Sequence, residues 1–223
     1  MSSKKSQLPS LSFEQTFFNS GSRFVVGVDE VGRGSIAGPV AVGVALLDVQ
    51  TNSSGWPEKL QDSKLISEKS REAMFQDVAD WVRGWAVGMS SAEEIEAYGI
   101  IHALALAGSR ALEDLLEESA LRSEIANSGV HLILDGSHNW LGTKAMGIPV
   151  TTKTKADRDC VSVAAASVLA KVTRDRLMVE LDQSHPGYGL ASNKGYASAN
   201  HIAGLKELGV SPIHRTSWLS KII

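Results

Sequence analysis

Runs of apolar and β-branched residues mark the strands expected in the first half of the chain. Phe24–Val31 and Val40–Leu47 are two such runs, and a Gly-rich stretch that ends in Gly38 and Pro39 joins them. The short connection predicts two adjacent antiparallel strands. Trp85–Met89 is predicted to be a third strand.

Apolar positions with helical spacing alternate with further short strands in the rest of the chain. His131–Leu134 is predicted to be a buried strand and Ile148–Thr152 another, while the glycines of His185–Tyr196 indicate a loop. The pattern indicates an α/β fold with a mixed sheet flanked by helices and a small C-terminal helical part. The expected helices follow Ser67 and the N-cap residue Ser91, and cover Ile100–Ile125, Cys160–Leu181 and Ala199–Leu208.

The length of 223 residues favours one main domain. We interpret residues 1–20 as a leader or short docking segment, which does not require an ordered structure. Residues 21–223 are then a single catalytic domain whose helical region, about 185–223, binds substrate. With no apolar stretch behind Lys4 and Lys5 and no membrane-length apolar run, we expect a cytoplasmic protein without a membrane partner. The single cysteine, Cys160, excludes a disulfide framework.

Charge is unevenly distributed along the chain. Residues 1–150 contain 12 Lys and Arg against 19 Asp and Glu, whereas residues 151–223 contain 10 against 6. A polyanionic partner is therefore expected on the C-terminal third. Ordinary solvated charge is the simpler explanation of the same count.

Four carboxylates are notable for their positions. Asp29 and Glu30 lie near the end of one apolar strand, Asp135 ends a second, and Asp157 precedes a helix. Strand ends of an open α/β sheet meet at one edge, so these acids can converge there. An all-oxygen cluster selects a hard cation, Mg²⁺ or Mn²⁺, and two ions ~3.5–4 Å apart could clamp a phosphodiester. Taken singly, each acid is better explained as a cap or a surface residue.

The tripeptide Gly32-Arg33-Gly34 allows two interpretations. It lacks the Lys and Ser/Thr that a phosphate-binding loop requires, so the segment is not predicted to be such a loop. It can be a plain hairpin turn. It can also be a backbone segment that must approach a ligand closely and hydrogen-bonds a sugar 2′-hydroxyl, the group that distinguishes RNA from DNA.

Basic and aromatic side chains supply candidate nucleic-acid contacts. Lys171 and Arg174 are three residues apart and would be neighbours on one helix face. Tyr196, in a Gly-rich loop, could stack on a sugar or base, or could simply anchor the loop. The candidate phosphate contacts are Lys64, Lys153, Lys155, Lys171, Arg174 and Arg215.

These residues occur in an order that resembles a known family. The segment from Gly27 to Gly34 resembles the signature of the type 2 ribonuclease H family, ribonuclease HII, in its bacterial form. The resemblance continues to Trp218 through Asp62-Ser63-Lys64, Leu134-Asp135-Gly136, Lys155-Ala156-Asp157, Ala164–Asp175, Lys194-Gly195-Tyr196 and His214-Arg215.

The resemblance implies a ribonuclease H-like fold and metal-dependent hydrolysis of RNA in RNA–DNA hybrids. It also implies incision 5′ of single ribonucleotides embedded in duplex DNA, which leaves 3′-hydroxyl and 5′-phosphate ends. By position, the four carboxylates match the metal ligands, Gly32, Arg33 and Gly34 match the 2′-hydroxyl sensor, and Tyr196 matches the residue that packs on the adjoining deoxyribose. Lys64, Lys171 and Arg174 match positions near phosphates.

Three further expectations concern partners and rival functions. We expect a monomer, and the residues from Ser217 to Ile223 show no clear sliding-clamp motif. A nuclease of this fold that acts on DNA alone is one alternative, although Gly32-Arg33-Gly34 argues against it. A non-catalytic nucleic-acid binder is the other, although such a protein gains nothing from acids that face a polyanion.

Overall fold

A five-stranded mixed sheet is the centre of the protein. The computed structural model describes residues 8–50, 55–117, 119–220 and 222, so residues 1–7 of the expected leader and Lys221 and Ile223 lie outside it. The strand order is β3-β2-β1-β4-β5. The strands are β1 (Phe24–Val31), β2 (Val40–Asp48), β3 (Gly84–Ser90), β4 (Val130–Asp135) and β5 (Val150–Lys153).

The pairing confirms the predicted antiparallel strands and adds a parallel half. β1 pairs antiparallel with β2, and β2 with β3. β1 pairs in parallel with β4, and β4 with β5. The C-terminal ends of β1, β4 and β5 therefore lie at one edge of the sheet, which is where ligands gather in such folds.

Helices cover both faces of the sheet, and small residues allow their close approach. Among the described residues, four α-helices lie between β2 and β4, and the first three are α2 (Glu68–Trp81), α3 (Ala92–Tyr98) and α4 (Ile100–Leu115), which packs on β2 and β3. On the other face α7 (Val161–Ser184) crosses β1 and β2. A Cβ at Gly43 would lie 2.5 Å from the Ala166 carbonyl oxygen, so glycine is required at this crossing.

Two predicted segments after β3 differ from the structure. The expected helix over Ile100–Ile125 is two helices, because the chain leaves α4 at Leu116 and turns so that Leu121 and Ile125 return to the core. The expected loop after His185 contains a short helix. The remaining helices are α5 (Ser119–Ser128), α6 (Ala156–Asp159), α8 (Leu190–Asn193) and α9 (Ala199–Leu208).

Part of the segment interpreted as a leader or short docking segment is a packed helix. α1 (Ser12–Asn19) lies against β1, with Phe13 and Phe17 beside a buried cluster. Glu14 is fully buried and accepts hydrogen bonds of 2.8 Å from both the amide and the hydroxyl of Ser162 in α7. These long-range contacts attach α1 to the domain. Among the described residues, no helix is long and apolar enough to span a bilayer.

Candidate active site

Asp29 is a buried acid in β1 on the face that α7 covers. Two residues earlier, a Cβ at Gly27 would lie 2.2 Å from the backbone carbon of Ser162, and side chains alternate along a strand. Asp29 therefore points toward α7 and is only 3% exposed. Burial raises its pKa well above the usual range, the charge of Glu30 raises it further, and the Lys64 ammonium opposes both.

Glu30 points to the opposite face of β1, but its charge interacts with those of Asp29 and Asp135. The strand ends at Val31, and both Asp29 and Asp135 lie close enough for their charges to interact with it. Burial raises the pKa of Glu30, Arg33 lowers it, and Asp135 raises it again. An open groove of about 600 Å³ on this side is lined by Glu30, Arg33, Ile101, Asp135, Gly136, Ser137, His138, Asn139 and Trp140.

Asp135 reaches Asp29 through the strand register. β1 and β4 run parallel with Val28 opposite Leu134, so the next residues of the two strands lie side by side. The backbone amide of Ala156 donates a 2.7 Å hydrogen bond to Asp135 Oδ1 and fixes the carboxylate. The sheet itself therefore brings these two acids together.

Asp157 joins the cluster from the one-turn helix α6. The chain enters α6 at Lys155 with a φ of 62°, in the left-handed region, and this turn aims Asp157 inward, where it is 5% exposed. Burial and the charges of Asp135 and Asp62 raise the pKa of Asp157 to about 6, against the opposing effect of Lys64. A group with this pKa is partly protonated near neutral pH.

Asp62 is a fifth acid of the cluster that sequence analysis did not single out. It is fully buried, and its Oδ1 accepts a 2.9 Å hydrogen bond from the amide of Lys64. Its Oδ2 lies 3.4 Å from Arg158 Nε yet lacks a hydrogen bond of good geometry. The Asp62-Ser63-Lys64 motif was the available signal, but nothing local shows that this acid turns inward.

Lys64 supplies the positive charge within this group of acids. Its Nζ lies 3.6 Å from Asp157 Oδ2 and 4.0 Å from Asp62 Oδ1. Burial disfavours the ammonium, but the charges of Asp29, Asp62 and Asp157 outweigh it and raise the pKa of Lys64. Its side chain is 65% exposed, so a phosphate can still approach it.

The chemistry of the donors fits a hard divalent cation. Burial and the charges of neighbouring acids raise the pKa values of Asp29, Glu30 and Asp157, so a bound cation would relieve both repulsion and desolvation. As the described side chains are placed, no three His, Cys, Asp or Glu groups enclose an ion, and Lys64 Nζ lies among the carboxylates instead. Binding would require small side-chain movements toward the ion. The acids concerned are Asp29, Glu30, Asp135 and Asp157.

The Gly32-Arg33-Gly34 loop directly follows β1, and the surroundings of its two glycines differ. Gly32 has a φ of 79°, and a Cβ there would lie 2.2 Å from Arg174 Nε, so structure alone demands glycine. Gly34 has no positive φ, and a Cβ there would meet nothing within 4 Å. The space above Gly34 is open to a ligand. Arg33 is half exposed, with Nη1 3.4 Å from Glu30 Oε1.

Arg215 holds this loop from the interior. It is fully buried and donates hydrogen bonds of 2.9 Å to the Arg33 carbonyl and 2.8 Å to the Gly32 carbonyl. This placement does not support its expected contact with phosphate, because the guanidinium is used to shape the loop. The outer side of the loop, including Gly34, is left for a ligand.

Arg174 and Lys171 are also committed to internal contacts. Arg174 is fully buried and donates to the carbonyls of Pro39 at 2.8 Å and Lys194 at 2.9 Å, a placement that does not support its predicted phosphate contact. Lys171 Nζ lies 2.6 Å from Asp175 Oδ1, and the side chain is 14% exposed. The predicted phosphate role of Lys171 is not supported by this placement.

The remaining basic candidates divide into paired and exposed groups. Lys153 Nζ lies 2.5 Å from Asp159 Oδ2. Lys155 is exposed and lies just before Asp157, at the same edge as Lys64. Much of the positive charge expected to face a polyanion is thus internal, and the exposed lysines lie beside the acids.

Tyr196 lies in the loop after α8 and is 41% exposed. The backbone amides of Ile36 and Ala37 donate to the Gly195 carbonyl at 2.9 Å and 3.2 Å, which joins this loop to the chain that follows Gly34. An exposed aromatic ring on an anchored loop is suited to stack on a nucleotide.

Comparisons with known proteins agree with this geometry. The family profile described as Ribonuclease HII matches residues 26–221. A protein of Streptomyces avermitilis named Ribonuclease HII is 44% identical over 199 residues, which cover 89% of this chain and 78% of that one.

Two solved structures are similar. The ribonuclease H2 of Pyrococcus horikoshii OT3 superposes with a TM-score of 0.70 at 27% identity, over 89% of this chain and 96% of that one. Bst-RNase HIII in complex with Mn²⁺ has a TM-score of 0.61 at 22% identity, over 85% and 64% of the two chains. The predicted ribonuclease H-like fold is confirmed.

Proposed function

This chain belongs to the ribonuclease HII family, and we propose that it incises duplex DNA 5′ of a single embedded ribonucleotide. As a member of the family it is a ribonuclease H, a hydrolase that acts on RNA–DNA hybrids. The products of the proposed incision are a 3′-hydroxyl and a 5′-phosphate, which suit ribonucleotide excision and removal of RNA primers.

The buried cluster of acids is the observation that carries the proposal. Asp29 and Asp157 are almost inaccessible to water, and each has a pKa raised by burial and by neighbouring carboxylates. A fold keeps such charges together at a cost in stability, which a site for cations explains. A binder of polyanions without catalysis would not need them.

The residues that would hold two ions are Asp29, Glu30, Asp135 and Asp157. Mg²⁺ or Mn²⁺ held there would supply an activated water for in-line attack and would stabilise the departing 3′ oxygen. The amide of Ala156 keeps Asp135 Oδ1 oriented. Asp157 would have to be in its carboxylate form to hold an ion, so binding would compete with its protonation.

Substrate selection is assigned to the Gly32-Arg33-Gly34 loop and Tyr196. Gly34 leaves open space at the loop surface, so the backbone can approach a ribose 2′-hydroxyl. Tyr196 would pack on the deoxyribose that follows the ribonucleotide. Lys64 and Arg33 are exposed cations beside the acids and would contact the phosphates that flank the cut.

A panel of three duplexes tests the proposal. One contains a single ribonucleotide, one is a long RNA–DNA hybrid, and one is entirely DNA, each incubated with Mg²⁺, Mn²⁺ or EDTA. We expect metal-dependent cleavage of the first two, with the cut in the first mapped 5′ of the ribonucleotide. Cleavage of the all-DNA duplex would refute the 2′-hydroxyl sensor, and an uncut single-ribonucleotide duplex would refute the proposed incision.

A further inference from the structure

Two buried histidines lie behind the Tyr196 loop and have no part in the mechanism above. His201, in α9, is fully buried, and His214 is 3% exposed. Their Nε2 atoms are 3.1 Å apart, and His201 Nδ1 lies 2.9 Å from the backbone carbonyl oxygen of Tyr196. Tyr188 packs on both rings, with centroids 4.7 Å from His214 and 6.2 Å from His201.

The contacts determine where the protons are. A carbonyl only accepts, so His201 Nδ1 must carry a proton, and in a neutral ring its Nε2 is then an acceptor. The proton between the rings must therefore belong to His214 Nε2, which leaves His214 Nδ1 as an acceptor. The amide of Ser211 donates to that atom at 3.1 Å, as the assignment requires.

The alternative arrangement requires a buried cation. His214 Nδ1 also lies 3.2 Å from the Ser211 carbonyl oxygen, but a proton on that nitrogen would make His214 Nε2 an acceptor. His201 would then need protons on both nitrogens. Burial lowers the pKa of both rings and favours the neutral forms.

The same segment also supports the loop after β1. The backbone of His214 bridges to Ala37, and the amide of Arg215 donates 2.9 Å to the Ile36 carbonyl. Arg215 in turn holds the carbonyls of Gly32 and Arg33. One short stretch, His214-Arg215, is therefore bonded on one side to the predicted 2′-hydroxyl sensor and on the other, through His201, to Tyr196.

We propose that the His201–His214 pair is a positioning device that sets the distance between Tyr196 and the Gly32-Arg33-Gly34 loop, so that the enzyme selects a ribonucleotide followed by a deoxyribonucleotide. The two rings form a one-way chain of hydrogen bonds from Ser211 to the Tyr196 carbonyl. Neither histidine touches the substrate. The inference rests on the proposed function, because it assigns the pair to substrate selection at that site.

Nuclear magnetic resonance tests the proton assignment without any substrate. In a long-range ¹H–¹⁵N spectrum of the wild-type protein at neutral pH, we expect His201 as the Nδ1–H tautomer and His214 as the Nε2–H tautomer. The His201→Phe and His214→Phe variants assign the signals. An Nε2–H tautomer at His201, or a cationic ring at either position, would overturn the proposal.

Cleavage kinetics test the positioning role. His201→Phe keeps an aromatic ring but removes both hydrogen bonds, and it should lower kcat/KM on the single-ribonucleotide duplex about tenfold, the effect of one lost stacking contact. The loss on a long hybrid should be much smaller, because no deoxyribose follows the cut there. His201→Asn, whose side-chain amide can still donate to the Tyr196 carbonyl, should recover part of the loss.

The matched controls separate this role from a structural one. His102→Phe changes an exposed histidine of α4 and should leave both substrates unaffected. Tyr196→Ala combined with His201→Phe should lose no more than Tyr196→Ala alone, since both act through one contact. An equal loss on both substrates would refute the positioning role. If wild-type protein does not incise the single-ribonucleotide duplex, the proposed function fails instead, and the tautomer result still decides the pair.

Discussion

The same substitution, glycine to alanine, tests two different roles in the Gly32-Arg33-Gly34 loop: internal packing at Gly32 and access of the substrate at Gly34. Gly32→Ala places a Cβ 2.2 Å from Arg174 Nε and forces alanine into a φ of 79°. The left-handed conformation alone costs about 1–2 kcal/mol. Displacing the buried guanidinium of Arg174, which donates to the Pro39 and Lys194 carbonyls, adds about 1–3 kcal/mol. The expected destabilisation is therefore about 2–5 kcal/mol.

Gly34→Ala is the matched variant in the same loop. Its Cβ meets nothing within 4 Å and its φ is not positive, so the free energy of unfolding should be unchanged or higher by up to about 1 kcal/mol. Its methyl group enters the space proposed for the ribose, so cleavage of the single-ribonucleotide duplex should fall. Gly32→Ala should thus lower the stability of the fold, whereas Gly34→Ala should lower cleavage without lowering stability.

Urea unfolding, followed by tryptophan fluorescence, measures the first effect. The midpoint of Gly32→Ala should shift to lower urea at an unchanged slope, whereas that of Gly34→Ala should not. Cleavage is then assayed in buffer where both variants are folded. A Gly32→Ala protein as stable as wild type would refute the packing argument, and a Gly34→Ala protein with full activity would refute the assignment of that space to substrate.

Two other predictions follow from the ion pairs and buried acids. Burial raises the pKa of Glu14, so the stability that its protonated form contributes is present below pH 4.5 and is lost as pH rises through the higher folded pKa. Glu14→Gln should therefore be at least as stable as wild type in urea titrations at pH 7. A clear loss of stability in that variant would contradict the predicted direction of the pH dependence. Lys64→Met should raise KM for the single-ribonucleotide duplex about tenfold in steady-state assays. Lys171→Met loses only an internal ion pair with Asp175, so its KM should stay within about twofold of wild type. Equal effects of the two substitutions would contradict the proposal that Lys64, and not Lys171, contacts phosphate.

Sequence patterns predicted the parts of the fold that depend on local order. The strand bounds around Asp29 and Asp135 follow from apolar runs, and their parallel pairing brings both acids to one edge. The capping box of Ser91 and Glu94 likewise acts within one turn of helix. The catalytic role of the acids stays a prediction, although their convergence is present in the structure.

The features that the sequence did not predict are contacts between residues distant in sequence. Helical spacing made Lys171 and Arg174 neighbours, but the guanidinium of Arg174 turns to the Pro39 carbonyl, 135 positions away. Glu14 appeared to belong to a leader, yet its partner Ser162 is 148 positions away. No local pattern encodes such partners, because they depend on how the completed sheet and α7 pack.

The catalytic role of the acid cluster is tested most directly by two acids of the same short helix. Asp157 is 5% exposed within the cluster, whereas Asp159 is an exposed acid paired with Lys153. The measurement is kcat/KM on a single-ribonucleotide duplex with Mg²⁺ for Asp157→Asn and Asp159→Asn. We predict a loss of at least about 100-fold for Asp157→Asn, because a metal ligand is removed, and about wild-type activity for Asp159→Asn. An Asp157→Asn enzyme that cleaves as well as wild type would contradict the account.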